Sequence, residues 1–275
     1  MSDDMTYVSR PTVPPAAGRR PPREPMPTLT VPFRFRGPAD SANGGYACGL
    51  IAECLDGPVT VTLRRPPPLE TPMTVEPVGE GAVRIRLGGT LVAEATSVRN
   101  GPAPRIPGTV SPAEARAAEG RARYFEDPAF PACFVCGTDR RPGDGLRIFP
   151  GPVTGHALWA APWTPDATVG DGGGSVRPEI VWAALDCPTG IAAIEGADVG
   201  QDTTILLGRM TADLTTLPTV GDECQVVAWP IGRDGRKLTA GSALLGPDGE
   251  VLAAATTVWL TVPRPVPGTI AEGAS

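Results

Sequence analysis

The strongest constraint on the fold of this chain is an internal repeat. The segment Gly-Thr-Leu-Val-Ala-Glu-Ala-Thr at 89–96 corresponds in kind and order to Gly-Glu-Val-Leu-Ala-Ala-Ala-Thr at 249–256. Each copy belongs to a series of candidate strands that follows an apolar helical segment, at 44–55 in the first half and at 178–193 in the second. The repeat predicts an α+β chain in which one unit, a buried helix followed by an antiparallel sheet, is used twice as an internal pseudo-dimer.

The individual elements are predicted from apolar periodicity and from the turn residues between apolar runs. The helix at 44–55 is apolar almost all round, which is typical of a helix enclosed by a sheet. Gly88-Gly89 predicts a two-residue hairpin turn. The predicted strands are 29–35, 59–65, 73–78, 82–87, 91–98, 146–149, 156–161, 203–214, 224–231, 238–245 and 251–262.

The predicted domain organisation has an N-terminal unit at 28–100 and a C-terminal unit at 133–262, joined by a linker at 101–132. Within the linker, Ser111-Pro112-Ala113-Glu114 predicts the start of a short helix that extends to about Tyr124, because serine caps helices and proline is favoured at the first helical position. Residues 1–27 contain seven prolines and four arginines without a core-forming pattern, so they are predicted to be a disordered tail. A second tail is expected at 263–275.

Charge and composition exclude several classes of function. The net charge of −6 and the isoelectric point near 5.0 argue against a nucleic-acid-binding protein, which needs a basic face. No run approaches ~18 apolar residues and no apolar segment follows the N-terminal arginines, so we expect no membrane segment, no secretory signal and a cytoplasmic location. Six cysteines are too few for a disulfide scaffold in a chain of 275 residues, so we expect free thiols. The one histidine, His156, lies in a strand-like pattern and is assigned no function.

Three short motifs carry a resemblance to a known family. Cys133-Phe134-Val135-Cys136-Gly137 followed by Gly145-Leu146-Arg147-Ile148 resembles the opening strand of many hotdog-fold thioesterases. Asp186 lies where that family keeps its catalytic aspartate, and Asn43-Gly44-Gly45 resembles the family's His-Gly-Gly helix start with asparagine in place of histidine. Over residues 28–262 the chain therefore resembles a double-hotdog acyl-CoA thioesterase, which implies two hotdog units.

The departures from the family pattern predict where the site lies. In the family the histidine and the aspartate are nine residues apart on one helix. Nine residues after Asn43 is Ala52, with Glu53 about 100° further round the helix, and nine residues before Asp186 is Arg177, followed by Pro178 and Glu179. Each half has kept a different part, so the resemblance implies one composite site formed by Asn43-Gly44-Gly45 and Asp186, with an inactive counterpart.

Each residue of the composite site is assigned a chemical role. A helix start has free N–H groups, so Gly45, with help from Gly44, is the candidate oxyanion hole, and Asp186 is the candidate general base or nucleophile. The alternatives remain open: Asn43 as a helix cap, the glycines as packing residues, and Asp186 as a cap for a helix break before Pro188.

Four further residues are candidates for substrate binding. The hydroxyls of Thr203 and Thr204, on the strand after the second helix, could orient the attacking water. Arg64 and Arg65 could bind the phosphates of coenzyme A at the end of a strand. Ordinary strand threonines and solvated arginines are the alternative interpretations.

The Cys133-x-x-Cys136 pair permits a metal or redox interpretation. A structural zinc ion needs four ligands, and the sequence has no second Cys-x-x-Cys and no suitably spaced histidine. Cys187 and Cys224 could join the pair only if the fold happens to bring them there. We therefore expect no bound metal, no cofactor and no disulfide.

The resemblance predicts hydrolysis of an acyl-CoA or acyl-carrier thioester at this site, by a possible homo-oligomer of double-hotdog chains. The alternative is a hotdog protein that has lost turnover and binds acyl groups or has a structural role. The near absence of histidine counts against a hydratase or dehydratase.

Overall fold

A computed structural model describes residues 28–99, 101, 105–200 and 202–264. The tail predicted at 1–27 and nearly all of the tail predicted at 263–275 lie outside these residues. The helices are α1 (Gly44–Ala52), α2 (Pro112–Ala118) and α3 (Pro178–Gly196). The strands are β1 (Thr28–Leu29), β2 (Val59–Leu63), β3 (Met73–Pro77), β4 (Ala82–Leu87), β5 (Thr90–Ser97), β6 (Gly151–Pro152), β7 (Trp159–Trp163), β8 (Thr203–Leu214), β9 (Cys224–Asp234), β10 (Lys237–Leu245) and β11 (Val251–Pro263).

The described strands form one antiparallel sheet in the order β1-β3-β4-β5-β2-β8-β11-β10-β9-β7-β6. The strand that follows each long helix lies at the middle of the sheet, β2 after α1 and β8 after α3. These two strands pair from Val59 with Ala212 to Thr62 with Arg209, and a hydrogen bond of 2.8 Å joins the hydroxyls of Thr60 and Thr211. The sheet is therefore continuous from the first half of the chain to the second, and the predicted α+β class is confirmed.

Helices α1 and α3 pack against each other as well as against the sheet. Two glycines on α1 make the close approach possible. A Cβ at Gly45 would lie 2.4 Å from Cβ of Asp186, and a Cβ at Gly49 would lie 2.5 Å from Cα of Glu179. Since real Cβ atoms essentially never come so close to another carbon, any larger residue at these positions would push the helices apart.

Most predicted elements are confirmed within a few residues, but four differ from the structure. In place of the strand predicted at 29–35, the structure has a short strand at Thr28–Leu29. The strand ends early because the chain forms a 3₁₀ helix at Phe33–Phe35 after Pro32. Residues 146–149 form no strand, because they bond to the 133–137 turn, with Leu146 N–H donating to the Phe134 carbonyl at 2.8 Å.

The other two differences concern an exposed turn and the linker. His156 is exposed in a turn, and the strand predicted from it begins only at Trp159. Helix α2 ends at Ala118, because the chain reverses at Gly120, whose φ of 72° favours glycine. A separate 3₁₀ turn follows at Arg123–Glu126.

Helix α3 passes through Pro188 without ending. Two hydroxyl groups supply hydrogen bonds to carbonyl groups near this proline: Ser242 donates to the Leu185 carbonyl at 2.9 Å, and Thr189 donates to the Asp186 carbonyl at 2.6 Å. Asp186 therefore lies in mid-helix, and the interpretation of Asp186 as the cap of a helix break is wrong. Within the described residues, no helix combines the length and the apolar character needed to cross a bilayer.

Candidate functional site

The centre of the candidate site is a buried carboxylate on α3 that faces the start of α1. Asp186 is 1% exposed, and its Oδ2 accepts a hydrogen bond of 2.9 Å from the Gly45 N–H and one of 3.0 Å from the Asn43 side-chain amide. Its Oδ1 is buried and has no hydrogen-bond partner among the described residues. The structure therefore brings together Asn43, Gly45 and Asp186, which are up to 143 positions apart in the sequence.

Burial dominates the electrostatics of this carboxylate. Removal from water raises the pKa of Asp186 from 3.8 to about 7, while the hydrogen bonds from Gly45 and Asn43 act in the opposite direction. A buried carboxylate with one unpartnered oxygen is unusual in a protein core, since buried polar atoms are nearly always hydrogen-bonded. Such a group is a typical candidate for a functional role.

Asn43 has two roles that the sequence presented as alternatives. Its Oδ1 accepts a hydrogen bond of 2.9 Å from the Tyr46 N–H, which caps α1. Its amide nitrogen at the same time donates to Asp186. One side chain therefore orients both the helix start and the carboxylate.

The structure changes the assignment of the two glycines. The Gly45 N–H already donates to Asp186, so it is not free to stabilise an oxyanion while that bond is present. The N–H of Gly44, at the first helical position, has no acceptor within its own helix, and Gly44 lines the adjacent cavity. Gly44 is therefore the better candidate oxyanion donor, and Gly45 positions the carboxylate.

A cavity of about 190 Å³ opens beside the carboxylate. Asn43, Gly44 and Asp186 line its polar end. The remaining wall is mostly apolar and comes from the linker, α3, β8 and β11; it includes Tyr124, Phe130, Ile191, Ile194, Leu207, Trp259 and Leu260. The cavity thus combines one small polar centre with a surface suited to a hydrocarbon chain.

The predicted substrate-binding residues lie in different places. Thr204 is 2% exposed and lines this cavity together with Asp186, whereas Thr203 is more exposed and lines only a second, neighbouring cavity. Arg64 and Arg65 both line the first cavity. The Arg64 guanidinium bonds to Glu94 at 2.8 and 2.9 Å, while Arg65 is exposed and has no ion pair among the described residues.

Three cysteines lie next to the carboxylate, at the polar end of the cavity. The sulfur atoms of Cys133, Cys136 and Cys187 lie within 4.8 Å of one another. The Asn43 amide nitrogen is 3.6 Å from the sulfur of Cys187 and 3.9 Å from that of Cys133. Hydrogen bonds from the other two thiols lower the pKa of Cys133 well below its usual value. Cys224 lies on β9, outside this cluster.

The counterpart positions on the other side of the helix pair contain different chemistry. Arg177 and Glu179, at the start of α3, approach each other at 3.5 Å. Ala52, which the nine-residue spacing matches to Asp186, has no ionisable group. Tyr46 stacks on Phe35 with ring centres 3.8 Å apart near this ion pair.

The sequence assigned no role to Cys187 in this site. Its position directly after Asp186 was the one available signal. That signal is weak, because adjacent residues of a helix are rotated by about 100° and need not face the same cavity. Only the path of the 133–137 turn brings the other two sulfur atoms towards it.

Comparison with solved structures identifies the fold. The sequence matches no protein-family model and no curated protein. A hotdog-fold protein of unknown function from Alicyclobacillus acidocaldarius superposes with a TM-score of 0.57 at 13% identity, covering 87% of this chain and 93% of its own.

Two further structures show the same similarity. A proposed thioesterase from Novosphingobium aromaticivorans has a TM-score of 0.58 at 15% identity, covering 85% of this chain and 94% of its own. The tesB protein of Mycobacterium avium subsp. paratuberculosis has a TM-score of 0.54 at 14% identity, covering 86% and 92%. These matches, together with the helices and the antiparallel sheet, show that this chain has the hotdog fold.

Proposed function

We propose that this protein hydrolyses an acyl thioester, with acyl-CoA as the first candidate substrate, at one composite site between α1 and α3. The observation that carries the proposal is the contact of the buried Asp186 carboxylate with the start of α1 through Gly45 and Asn43. The name of the structural neighbour from Novosphingobium aromaticivorans, a proposed thioesterase, agrees with this chemistry.

The pseudo-dimer is part of the same proposal. We assign one hotdog unit to 28–100 and the other to 133–262. The strand order supports this division, because β1-β3-β4-β5-β2 on one side corresponds element by element to β7-β9-β10-β11-β8 on the other. A composite site then follows, since the two central helices come from different units.

The proposed reaction needs a general base and a hydrogen-bond donor to the negatively charged oxygen of the intermediate. A water molecule attacks the thioester carbonyl carbon while its proton passes to Asp186, and the negative oxygen of the tetrahedral intermediate accepts a hydrogen bond from the Gly44 N–H. The positive end of the α1 dipole faces the same oxygen. The intermediate then breaks its carbon–sulfur bond and releases the carboxylic acid and a thiolate, which takes up a proton.

Direct attack by Asp186 is the second route. It forms a mixed anhydride between the acyl group and the aspartate and releases the thiolate, and water then cleaves the anhydride. Single turnover in ¹⁸O-labelled water tests for this route, because label in Asp186 requires cleavage of the anhydride at the aspartyl carbon, whereas general-base catalysis labels only the released acid.

The remaining cavity residues have supporting roles in this proposal. Thr204 orients the water, Arg65 binds coenzyme A phosphates at the cavity mouth, and the apolar wall holds the acyl chain. Arg64 contributes less because it is already paired with Glu94. Thr203 is left without a role, since it faces the neighbouring cavity.

The test is hydrolysis of a series of acyl-CoA and acyl-pantetheine thioesters of increasing chain length. We expect turnover by the wild type and a loss of about 10²–10⁴-fold in Asp186→Asn, the range for removal of a general base. Asp248→Asn, in an exposed hairpin turn, is the matched control and should keep full activity. Wild-type turnover by Asp186→Asn would disprove the role of the carboxylate.

A binding protein without turnover is the alternative. The observation that favours it is the hydrogen bond that already occupies the Gly45 N–H. The same thioester series decides between the two, because a binding protein would retain acyl-CoA in equilibrium dialysis without releasing free thiol.

A further inference from the structure

The three-cysteine cluster has no role in the proposed hydrolysis. Cys133 and Cys136 come from the turn before Gly137, and Cys187 comes from α3. All three are buried, their sulfur atoms lie within 4.8 Å of one another, and those of Cys133 and Cys187 are 3.6 Å apart. Two distant parts of the chain therefore place three soft ligand atoms around one point.

The spacing of the sulfur atoms fits ligands of a single zinc ion. Zinc bonds to thiolate sulfur at about 2.3 Å in tetrahedral geometry, which places two ligand sulfurs about 3.8 Å apart. The observed distance of 3.6 Å between Cys133 and Cys187 is close to that value. The other two sulfur–sulfur distances are at most 4.8 Å, so small side-chain movements would bring them to about 3.8 Å.

The backbone of the 133–137 turn is shaped to present the first two sulfurs. The Gly137 N–H donates to the Cys133 carbonyl at 2.9 Å. Gly137 is required in this turn, because a Cβ there would lie 2.3 Å from the Cys133 carbonyl oxygen. The turn is therefore closed behind the sulfurs.

A polar donor beside the cluster can stabilise the charge of the metal-bound form. Three thiolates and one Zn²⁺ have a net charge of −1. The Asn43 amide nitrogen is 3.6 Å from the Cys187 sulfur and 3.9 Å from that of Cys133, so it can donate to a thiolate there.

We propose that Cys133, Cys136 and Cys187 bind one Zn²⁺ ion as thiolates, with the fourth coordination position open to the cavity that Asp186 lines. Three protein ligands with one exchangeable position are typical of open zinc sites. Binding releases the protons of the thiols that become ligands. The proposal replaces the prediction of no metal, since the tertiary structure supplies a third ligand that sequence spacing does not show.

The experiment measures metal binding directly, without substrate. The reduced full-length chain is equilibrated with Zn²⁺, desalted and analysed for metal, and in parallel titrated with Co²⁺. We expect about one zinc ion per chain and, with Co²⁺, the thiolate charge-transfer and tetrahedral visible absorption bands. In chelator competition, Cys136→Ser and Cys187→Ser should bind Zn²⁺ at least about 100-fold more weakly, since loss of an outer-shell partner alone costs 10- to 100-fold.

Cys224→Ser is the matched control, because Cys224 is also buried but lies on β9 outside the cluster, and it should bind zinc like the wild type. A reduced, folded wild type that retains no zinc and gives no cobalt–thiolate absorption would overturn the proposal. So would equal weakening of zinc binding in Cys224→Ser. If a cluster variant does not fold, the wild-type zinc content and cobalt spectrum decide.

The zinc proposal and the hydrolase proposal fail independently. A chain that binds zinc but cleaves no thioester contradicts only the hydrolase proposal. A chain that cleaves thioesters but retains no zinc after equilibration with Zn²⁺ contradicts only the metal site.

Discussion

Replacing Gly45 with alanine tests the contact between α1 and α3 with the smallest possible change. The added Cβ would lie 2.4 Å from Cβ of Asp186 and 2.8 Å from the backbone oxygen of Trp182. Ordinary carbon–carbon contacts begin at about 3.5 Å. The helices must therefore separate by about 1 Å at the point where the Gly45 N–H bonds to Asp186.

The expected loss of stability combines two opposing effects. Overpacking a tight contact costs about 1–3 kcal/mol, and the upper half of that range applies here because the obstacles are a backbone atom and a Cβ that cannot rotate away. Alanine in a helix gains about 1 kcal/mol over glycine. We expect the free energy of unfolding of Gly45→Ala to fall by about 1–2 kcal/mol.

The expected effect on turnover is larger than the effect on stability. The hydrogen bond of 2.9 Å between the Gly45 N–H and Asp186 lies at the point of separation, so it lengthens or breaks. A displacement of about 1 Å in a catalytic group can cost about 10²-fold in rate. We therefore expect kcat to fall by about that factor.

The assay is urea unfolding followed by circular dichroism, with turnover measured on the same samples. Gly89→Ala is the control, because nothing lies within 4 Å of the added Cβ there, and it should match the wild type. Unchanged or increased stability in Gly45→Ala would refute the reasoning that the two helices need a glycine at this contact.

Three other substitutions give separate tests. Trp259→Phe removes the indole N–H that donates to Thr189 at 2.9 Å, so the free energy of unfolding should fall by about 1–3 kcal/mol in urea; a fully stable variant would contradict this. Ser242→Ala removes a buried hydrogen bond of 2.9 Å to an α3 carbonyl and should cost about 1 kcal/mol in the same assay. Arg65→Ala should raise KM for acyl-CoA about fivefold with kcat unchanged, which is equivalent to about 1 kcal/mol at an exposed site. Arg64→Ala should raise KM less, and equal effects of the two substitutions would argue against phosphate binding by Arg65.

Much of the local structure could be predicted from sequence alone. The strand at 203–214 and that at 82–87 have the predicted bounds, and α1 begins at the predicted Gly44. These elements are set by apolar periodicity and by adjacent turn residues, which act over a few positions. The strand predicted at 146–149 is wrong because those residues bond to a turn at 133–137, which local periodicity does not report.

The site depended on the tertiary structure. Sequence resemblance selected Asp186 and Asn43, but only the crossing of α1 and α3 shows that the Gly45 N–H donates to Asp186 across 141 positions. Adjacent strand residues face opposite sides of a sheet, so at most one of Thr203 and Thr204 was expected to face the cavity of Asp186, and only the structure shows that it is Thr204. Cys187 joins two distant sulfurs for the same reason: contacts between remote residues are decided by helix crossing and strand register, which depend on the packing of the whole chain.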